Sequence, residues 1–276
     1  MIVNRIGIGF RLAIILALVG IAIFPFYWML TTSLTGNDRL YSDSPQLFPD
    51  LSQLGIFGEV LGGSSVRTWL TNSAIVAAGT ALLSLAFALP MAYALSRFRF
   101  RGKAVVGVGL FMTQMLPEAM LVVPLFSIFS SLKLLDTLAA LVLANTASTL
   151  PIVTFILKNA MDGVPQELDE AARMDGSNRA AILTRIILPV VAPSVAAAAV
   201  IAFFHGWNEY VFALTFVSSD ELRTASVGLA GFVGELATPI QSVMAVGIMY
   251  TLPAVAFYLL LQRYIVAGMT AGAVKG

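Results

Sequence analysis

The sequence predicts an all-α polytopic membrane protein: six transmembrane helices, both termini on the cytoplasmic side, and a cytoplasmic loop between helices 4 and 5. Three observations predict it. Only 11% of the 276 residues are charged and 58% are apolar, against about 25% charge in a soluble chain, and the mean hydropathy is +0.89. Several apolar runs approach or exceed the ~20 residues that cross a ~30 Å hydrocarbon core as a helix. These runs are continuous and rich in Ala and Leu, whereas a transmembrane β-barrel alternates over segments of ~10 residues.

The first run, Leu12–Leu30, is read as an uncleaved span, because the WMLTTSLTG after it has no clear small-x-small cleavage pattern. An outer segment of about residues 31–72 follows, rich in Gly, Ser, Pro and Asp and too short and polar for a second catalytic domain. The remaining spans are Ser73–Leu95, Ala104–Phe129, Leu138–Leu157, Val190–Val217 and Ile240–Gln262. Pro90, Pro117, Pro124, Pro151 and Pro253 fall in or near them, where proline can kink a helix. The fifth span carries Ala198, Ala202 and Gly206 at four-residue intervals; such small residues let backbones approach, which makes this span the candidate interface between bundles. With the N-terminus inside, twelve Lys and Arg (Arg5, Arg11, Arg97, Arg99, Arg101, Lys103, Lys158, Arg173, Arg179, Arg185, Arg263, Lys275) face the cytoplasm and four (Arg39, Arg67, Lys133, Arg223) face out. That bias supports the orientation.

The chain has no Cys, which excludes disulfides and thiolate chemistry. Its single His argues against a His-based metal centre. No metal site, no catalytic residues and no nucleic-acid partner are expected. Gly102-Lys103 is followed by Ala104 and lacks the upstream glycine of a phosphate loop, so this chain encodes no nucleotide chemistry.

Between the fourth and fifth spans, residues 159–189 hold eight charged residues in 31. Pro165 suits a helix start, Glu167, Asp169 and Glu170 then complement the helix dipole, and Gly176 suits a left-handed stop. Ser177 is the expected cap of a second helix running towards Pro189. Leu168, Ala171, Ala172 and Met174 form a narrow apolar strip at spacings of three and four. By pattern alone this is either a docking element or a solvated helical loop.

Glu170-Ala171-Ala172, three residues, Gly176, nine residues, Ile186, one residue, then Leu188-Pro189 resembles the EAA signature of ABC importer permeases at every fixed position. The segments PFYWMLTTSLTG, NSAIVAAGTALLSLAFALPMAYALSRFRFRGK, VPLFSIFSSLKLLDTLAALVLANTASTLP, WNEYVFALTF and QRYIVAGMTAGAVKG resemble the carbohydrate branch of that family, in its maltose-permease-G-like half. The resemblance implies one transmembrane permease domain over residues 1–276, with a core at about 67–262, a coupling loop at about 159–189 and a C-terminal tail at about 263–276. It implies Glu170, Ala171, Ala172, Gly176, Ile186, Leu188 and Pro189 as the contact with an ATPase, and a tail that either reaches the ATPases or ends free. The implied partners are a second non-identical permease, a dimer of ATPase subunits that hold ATP and Mg, an extracytoplasmic sugar-binding protein, a carbohydrate and the lipid bilayer. The implied location is the bacterial or archaeal cytoplasmic (inner) membrane, and the chain is not itself an enzyme.

Polar groups inside spans are costly and therefore candidates for the pathway. These are Gln114 and Glu118 in the third span, Asn145 in the fourth, and Asn208 and Glu209 in the fifth, with Thr146 and His205 beside them. At 1.5 Å per residue, Glu118 lies ~21 Å from Ala104 and His205 ~24 Å from Pro189, past the midplane and at similar depth, with Asn145 and Thr146, about one-third of the way into the fourth span, near the same level. Phe204, Trp207 and Tyr210 could stack on sugar rings, while Glu209 and Asn208 could instead bond across helices or to a partner permease. The alternative function is a secondary transporter driven by an ion gradient through Glu118.

Overall fold

The computed structural model describes residues 2–40, 42, 46–63, 65–232 and 239–273, with the side chains of 2–8, 37, 63 and 264–273 outside that description. The tail expected at about 263–276 therefore lies almost wholly outside the described side chains.

The described chain is helical: α1 (Ile2–Ser33), α2 (Asn37–Leu40), α3 (Gly55–Gly63), α4 (Val66–Arg97), α5 (Lys103–Thr113), α6 (Glu118–Ser131), α7 (Leu138–Asp162), α8 (Glu167–Met174), α9 (Arg179–Ile182), α10 (Leu188–Val190), α11 (Ala192–Asn208), α12 (Val211–Phe216), α13 (Ala225–Gly231) and α14 (Ile240–Ala273). Among the described residues, four stretches are long and apolar enough to cross a membrane: Gly9–Ser33, Val66–Arg97, Leu138–Asp162 and Ile240–Arg263. The third and fifth expected spans are not straight. α5 and α6 meet at 103° across residues 114–117, and the Arg179–Val190 stretch meets α11 at 86°. The straight-helix depths for Glu118 and His205 fail for that reason.

The break at residues 114–117 has a local cause. Proline lacks an N–H and drives the residue before it out of the α region, and Pro117 has φ −59° and ψ 133°. Pro90, Pro124, Pro151 and Pro253, by contrast, lie inside continuous helices.

The chain divides into two compact units, residues 1–67 with 229–252 and residues 68–228 with 253–276. In the first, Gly247 of α14 lies so close to the Met29 methyl that an added Cβ would stand 2.6 Å from it, and the Tyr27 hydroxyl donates to the Leu47 carbonyl.

The second unit holds the tighter core. Val76 of α4, Phe129 of α6, Leu141 and Ala144 of α7, and Phe212 and Phe216 of α12 form one buried cluster, with Phe212 stacked on Phe216 at 5.4 Å. Ala198, Ala202 and Gly206 are buried inside this same unit. A Cβ on Gly206 would meet Thr80 Oγ1 at 2.9 Å and Ala77 Cα at 3.0 Å. Gly206 thus seats the end of α11 against α4 of its own chain, and all three small residues are buried within that chain, which corrects the expectation that the stripe faces another bundle.

Two loops are stapled by side chains. Asp136, at φ 57°, accepts hydrogen bonds from the Ser218 and Ser219 amides and from the Ser219 hydroxyl. Those bonds, the Ser219 hydroxyl foremost, hold its carboxyl below the usual carboxylate range. Asn72 Nδ2 donates to the carbonyls of Glu221 and Arg223 at 2.9 Å each.

Candidate functional site

A cavity of about 730 Å³ opens at the α5–α6 bend within the second unit, lined by that junction, the middle of α7 and the end of α11 with the start of α12. Glu118 is the first residue of α6, where a negative charge faces free backbone N–H groups. Its Oε1 lies 2.6 Å from His205 Nε2 on α11, and His205 Nδ1 lies 3.1 Å from Asn145 Oδ1 on α7. The similar depth expected for these three groups is thus matched by direct contact. Asn145 Nδ2 donates to the Leu141 carbonyl at 2.8 Å, which leaves Oδ1 to accept, so Nδ1 carries the imidazole hydrogen. The Glu118–His205 contact then holds one proton between Oε1 and Nε2.

Gln114, at the end of α5, donates its amide nitrogen to the Ser148 carbonyl at 2.9 Å and ties the break to α7. Asn208, Phe204 and Tyr210 also line the cavity. Glu209 does so only at its edge, being 8% exposed. Its oxygens accept from the amides of Phe212 at 2.5 Å and Ala213 at 2.9 Å, so it caps α12. Trp207 is buried and stacked on Phe203 at 5.8 Å, which withdraws it from any sugar-stacking role. Asn145 and Thr146 are buried as well: Asn145 orients His205 from behind, and Thr146 is absent from the lining.

The charged segment between α7 and α11 folds as helix, glycine turn, helix. The Ser177 amide bonds the Ala172 carbonyl at 2.9 Å and the Gly176 amide bonds the Arg173 carbonyl at 3.0 Å, with Gly176 at φ 81°. This paired closure is a Schellman stop. The cap of α9 is Asn178, whose side chain accepts from the Ala181 amide at 2.9 Å, and not the expected Ser177, which stands one residue before the cap. Glu170, Ala171 and Met174 stand exposed, Met174 at 89%, while Ala172 is buried. Ile186 and Leu188 are half-buried and Pro189 is exposed. Residues Leu183–Ile187 form a π-helical turn closed by the Leu188 amide on the Leu183 carbonyl.

No sequence pattern announces the tether of this segment. Asp169 and Arg97 are both buried, with Asp169 Oδ2 3.0 Å from Arg97 Nε at the end of α4. Both atoms lack an aligned hydrogen bond, so this is a close ion contact. Asp169 Oδ1 accepts from the Tyr93 hydroxyl at 3.1 Å, Arg97 Nη2 donates to the Val164 carbonyl at 2.9 Å, and the Arg179 guanidinium lies 4.3 Å over the Phe98 ring. The faint signal available was Tyr93 and Arg97 four apart on one helix face, with an Asp beside Glu170.

A cavity that carries Glu118, His205 and Asn208 at a broken apolar helix, in a chain whose charged helix pair is tethered to α4, fits a polytopic membrane permease. Residues 84–271 match the family described as "Binding-protein-dependent transport system inner membrane component", and the chain belongs to that family of ABC transporter permease subunits of the inner membrane. It is 38% identical over 269 residues to the trehalose/maltose transport system permease protein MalG of Thermococcus litoralis, covering 96% of this chain and 95% of that one. It is 35% identical to the inner membrane ABC transporter permease protein YcjP of Escherichia coli, over 99% and 97% of the two chains. Its fold is similar to that of a bacterial ABC transporter involved in the import of alginate, with a TM-score of 0.83 at 24% identity over 95% of this chain and 97% of that one.

Proposed function

We propose that the chain is one half of the translocation pathway of an ATP-driven carbohydrate importer. It pairs with a second, non-identical permease, receives sugar from an extracytoplasmic binding protein, and couples to a dimer of ATPase subunits that hold ATP and Mg. Each bent helix pair is one interrupted span, which gives six, with both termini in the cytoplasm. The chain itself catalyses no reaction and binds no cofactor.

The observation that carries the coupling is α8. Its exposed edge, with Glu170, Ala171 and Met174, is free to meet another surface, while its opposite edge is fastened to α4 through Asp169. Gly176 supplies the reversal, and Ile186, Leu188 and Pro189 lead back towards α11. A pull on α8 is thereby passed to α4, and rigid-body gating results if the ATPase contacts differ between its two states. The sugar permeases among the relatives support the cargo class.

Purification in mild detergent from the native membrane tests this. An ATPase and a second permease should accompany the wild type, and the ATPase should be lost from the Glu170→Lys, Gly176→Pro double variant. Recovery of the chain alone would count against the proposal. The Glu118–His205 contact is the one observation that favours an ion-driven transporter, and family membership weighs against it.

A further inference from the structure

The hydrogen-bonding chemistry of the cavity wall bears on which sugars can pass. This inference rests on the importer reading above. Because Asn145 fixes the hydrogen on His205 Nδ1, the remaining proton sits on either Nε2 or Glu118 Oε1. In both placements the two atoms satisfy each other, and Glu118 Oε2 is left as an acceptor. Gln114 gives one of its two amide hydrogens to Ser148, and its Oε1 is likewise an acceptor. The Thr113 hydroxyl is donated to the Leu110 carbonyl at 2.7 Å and the Thr149 hydroxyl to the Asn145 carbonyl at 2.8 Å. Among the described residues, no Lys or Arg lines the cavity.

We propose that this wall selects uncharged, hydroxyl-rich sugars and turns acidic sugars away. A hydroxyl can donate to Glu118 Oε2 or Gln114 Oε1 and accept from the Tyr210 phenol, while an apolar ring face lies on Phe204. A uronate carboxylate only accepts. It would meet two acceptors it cannot use, Glu118 Oε2 and Gln114 Oε1, with no Lys or Arg among the described lining residues to offset its charge, and a buried charge without a partner is costly. The volume of about 730 Å³ is within the ~300–1,000 Å³ of small-molecule sites, enough for a short oligosaccharide segment.

The test uses the full transporter, with its partner permease, ATPases and binding protein, in ATP-loaded proteoliposomes. It is offered a mixture of neutral gluco-, galacto- and N-acetylglucosamine oligosaccharides of two to four rings, and separately a mixture of uronate oligosaccharides of the same lengths. Accumulated sugar is identified by mass spectrometry. Neutral sugars should accumulate at least tenfold over uronates, a factor worth about 1.4 kcal/mol. Gln114→Arg and, as a variant that spares the Ser148 bond, Thr113→Lys should each raise the uronate-to-neutral ratio at least tenfold. Equal uptake of uronates by the wild type would overturn the proposal and leave the importer reading standing. So would an unchanged ratio in both variants with transport intact. Accumulation of neither class would instead sink the sugar-importer reading, and this inference with it.

Discussion

A Glu209→Ala substitution would leave the amides of Phe212 and Ala213 without acceptors inside the bundle. Each unsatisfied buried group costs roughly 1–3 kcal/mol, so the variant should melt well below the wild type in detergent. Glu209→Gln keeps one acceptor oxygen and should lose about half as much. If Glu209→Gln instead melted normally and abolished uptake, the carboxylate would belong to the pathway and not to the α12 cap. Asp136 makes a pH prediction. Its folded carboxyl is held below the ordinary value of 3.8. Its contribution is therefore fully present above that value and is lost as pH falls through the lower folded one. Between pH 5 and pH 3 the wild type should lose more melting temperature than Asp136→Asn, which cannot titrate; parallel curves would refute this. The sequence showed Glu209 as one more carboxylate in a span. Its capping role depends on the chain leaving the helix at that very residue, with φ −62° and ψ 132°, which no residue pattern announces.

At the scale of the element, the tether between α4 and α8 is the part most open to test. Removing one partner of a buried ion pair costs about 3–5 kcal/mol. Asp169→Ala should therefore destabilise the protein by that order, whereas a paired Arg97→Met, Asp169→Leu replacement should recover much of the stability. The paired variant should still capture the ATPase yet import poorly, since α8 would move without α4. Full import by that variant would remove the tether from the coupling path. Gly228 makes a separate case: an added Cβ would stand 2.2 Å from the Trp69 ring, so Gly228→Ala should be among the most destabilising single-methyl changes. The helix–glycine–helix form of the coupling segment was legible because charge, Gly176 and spacing agreed. The broken third span was not, because five prolines looked alike and only Pro117 stands outside a helix. What singles it out is the seam it shares with α7 through Gln114 and Ser148, a contact between distant parts of the sequence.

For the whole molecule, the long apolar runs and their lysine and arginine flanks made the membrane class readable at once, and a hydropathy pattern spread over hundreds of residues is hard to mistake. The convergence of Glu118, Asn145 and His205 was readable only as a common depth. Two errors of the straight-helix estimate, one on each interrupted span, left the relative level intact. Import into vesicles should require internal ATP and survive a protonophore; uptake that collapses with the proton gradient and ignores ATP would favour the Glu118-driven alternative.

The π turn at Leu183–Ile187 amounts to one extra amino acid threaded into a helix. Its consequence is one of interchangeable parts. Deleting Thr184 would restore ordinary winding of about 100° per residue but cut the signature's Gly176-to-Ile186 interval from nine residues to eight, so the spacing that marks the coupling segment already counts the extra residue. A coupling segment transplanted between two such transporters should therefore work only when the recipient keeps, or receives with it, this single supernumerary residue.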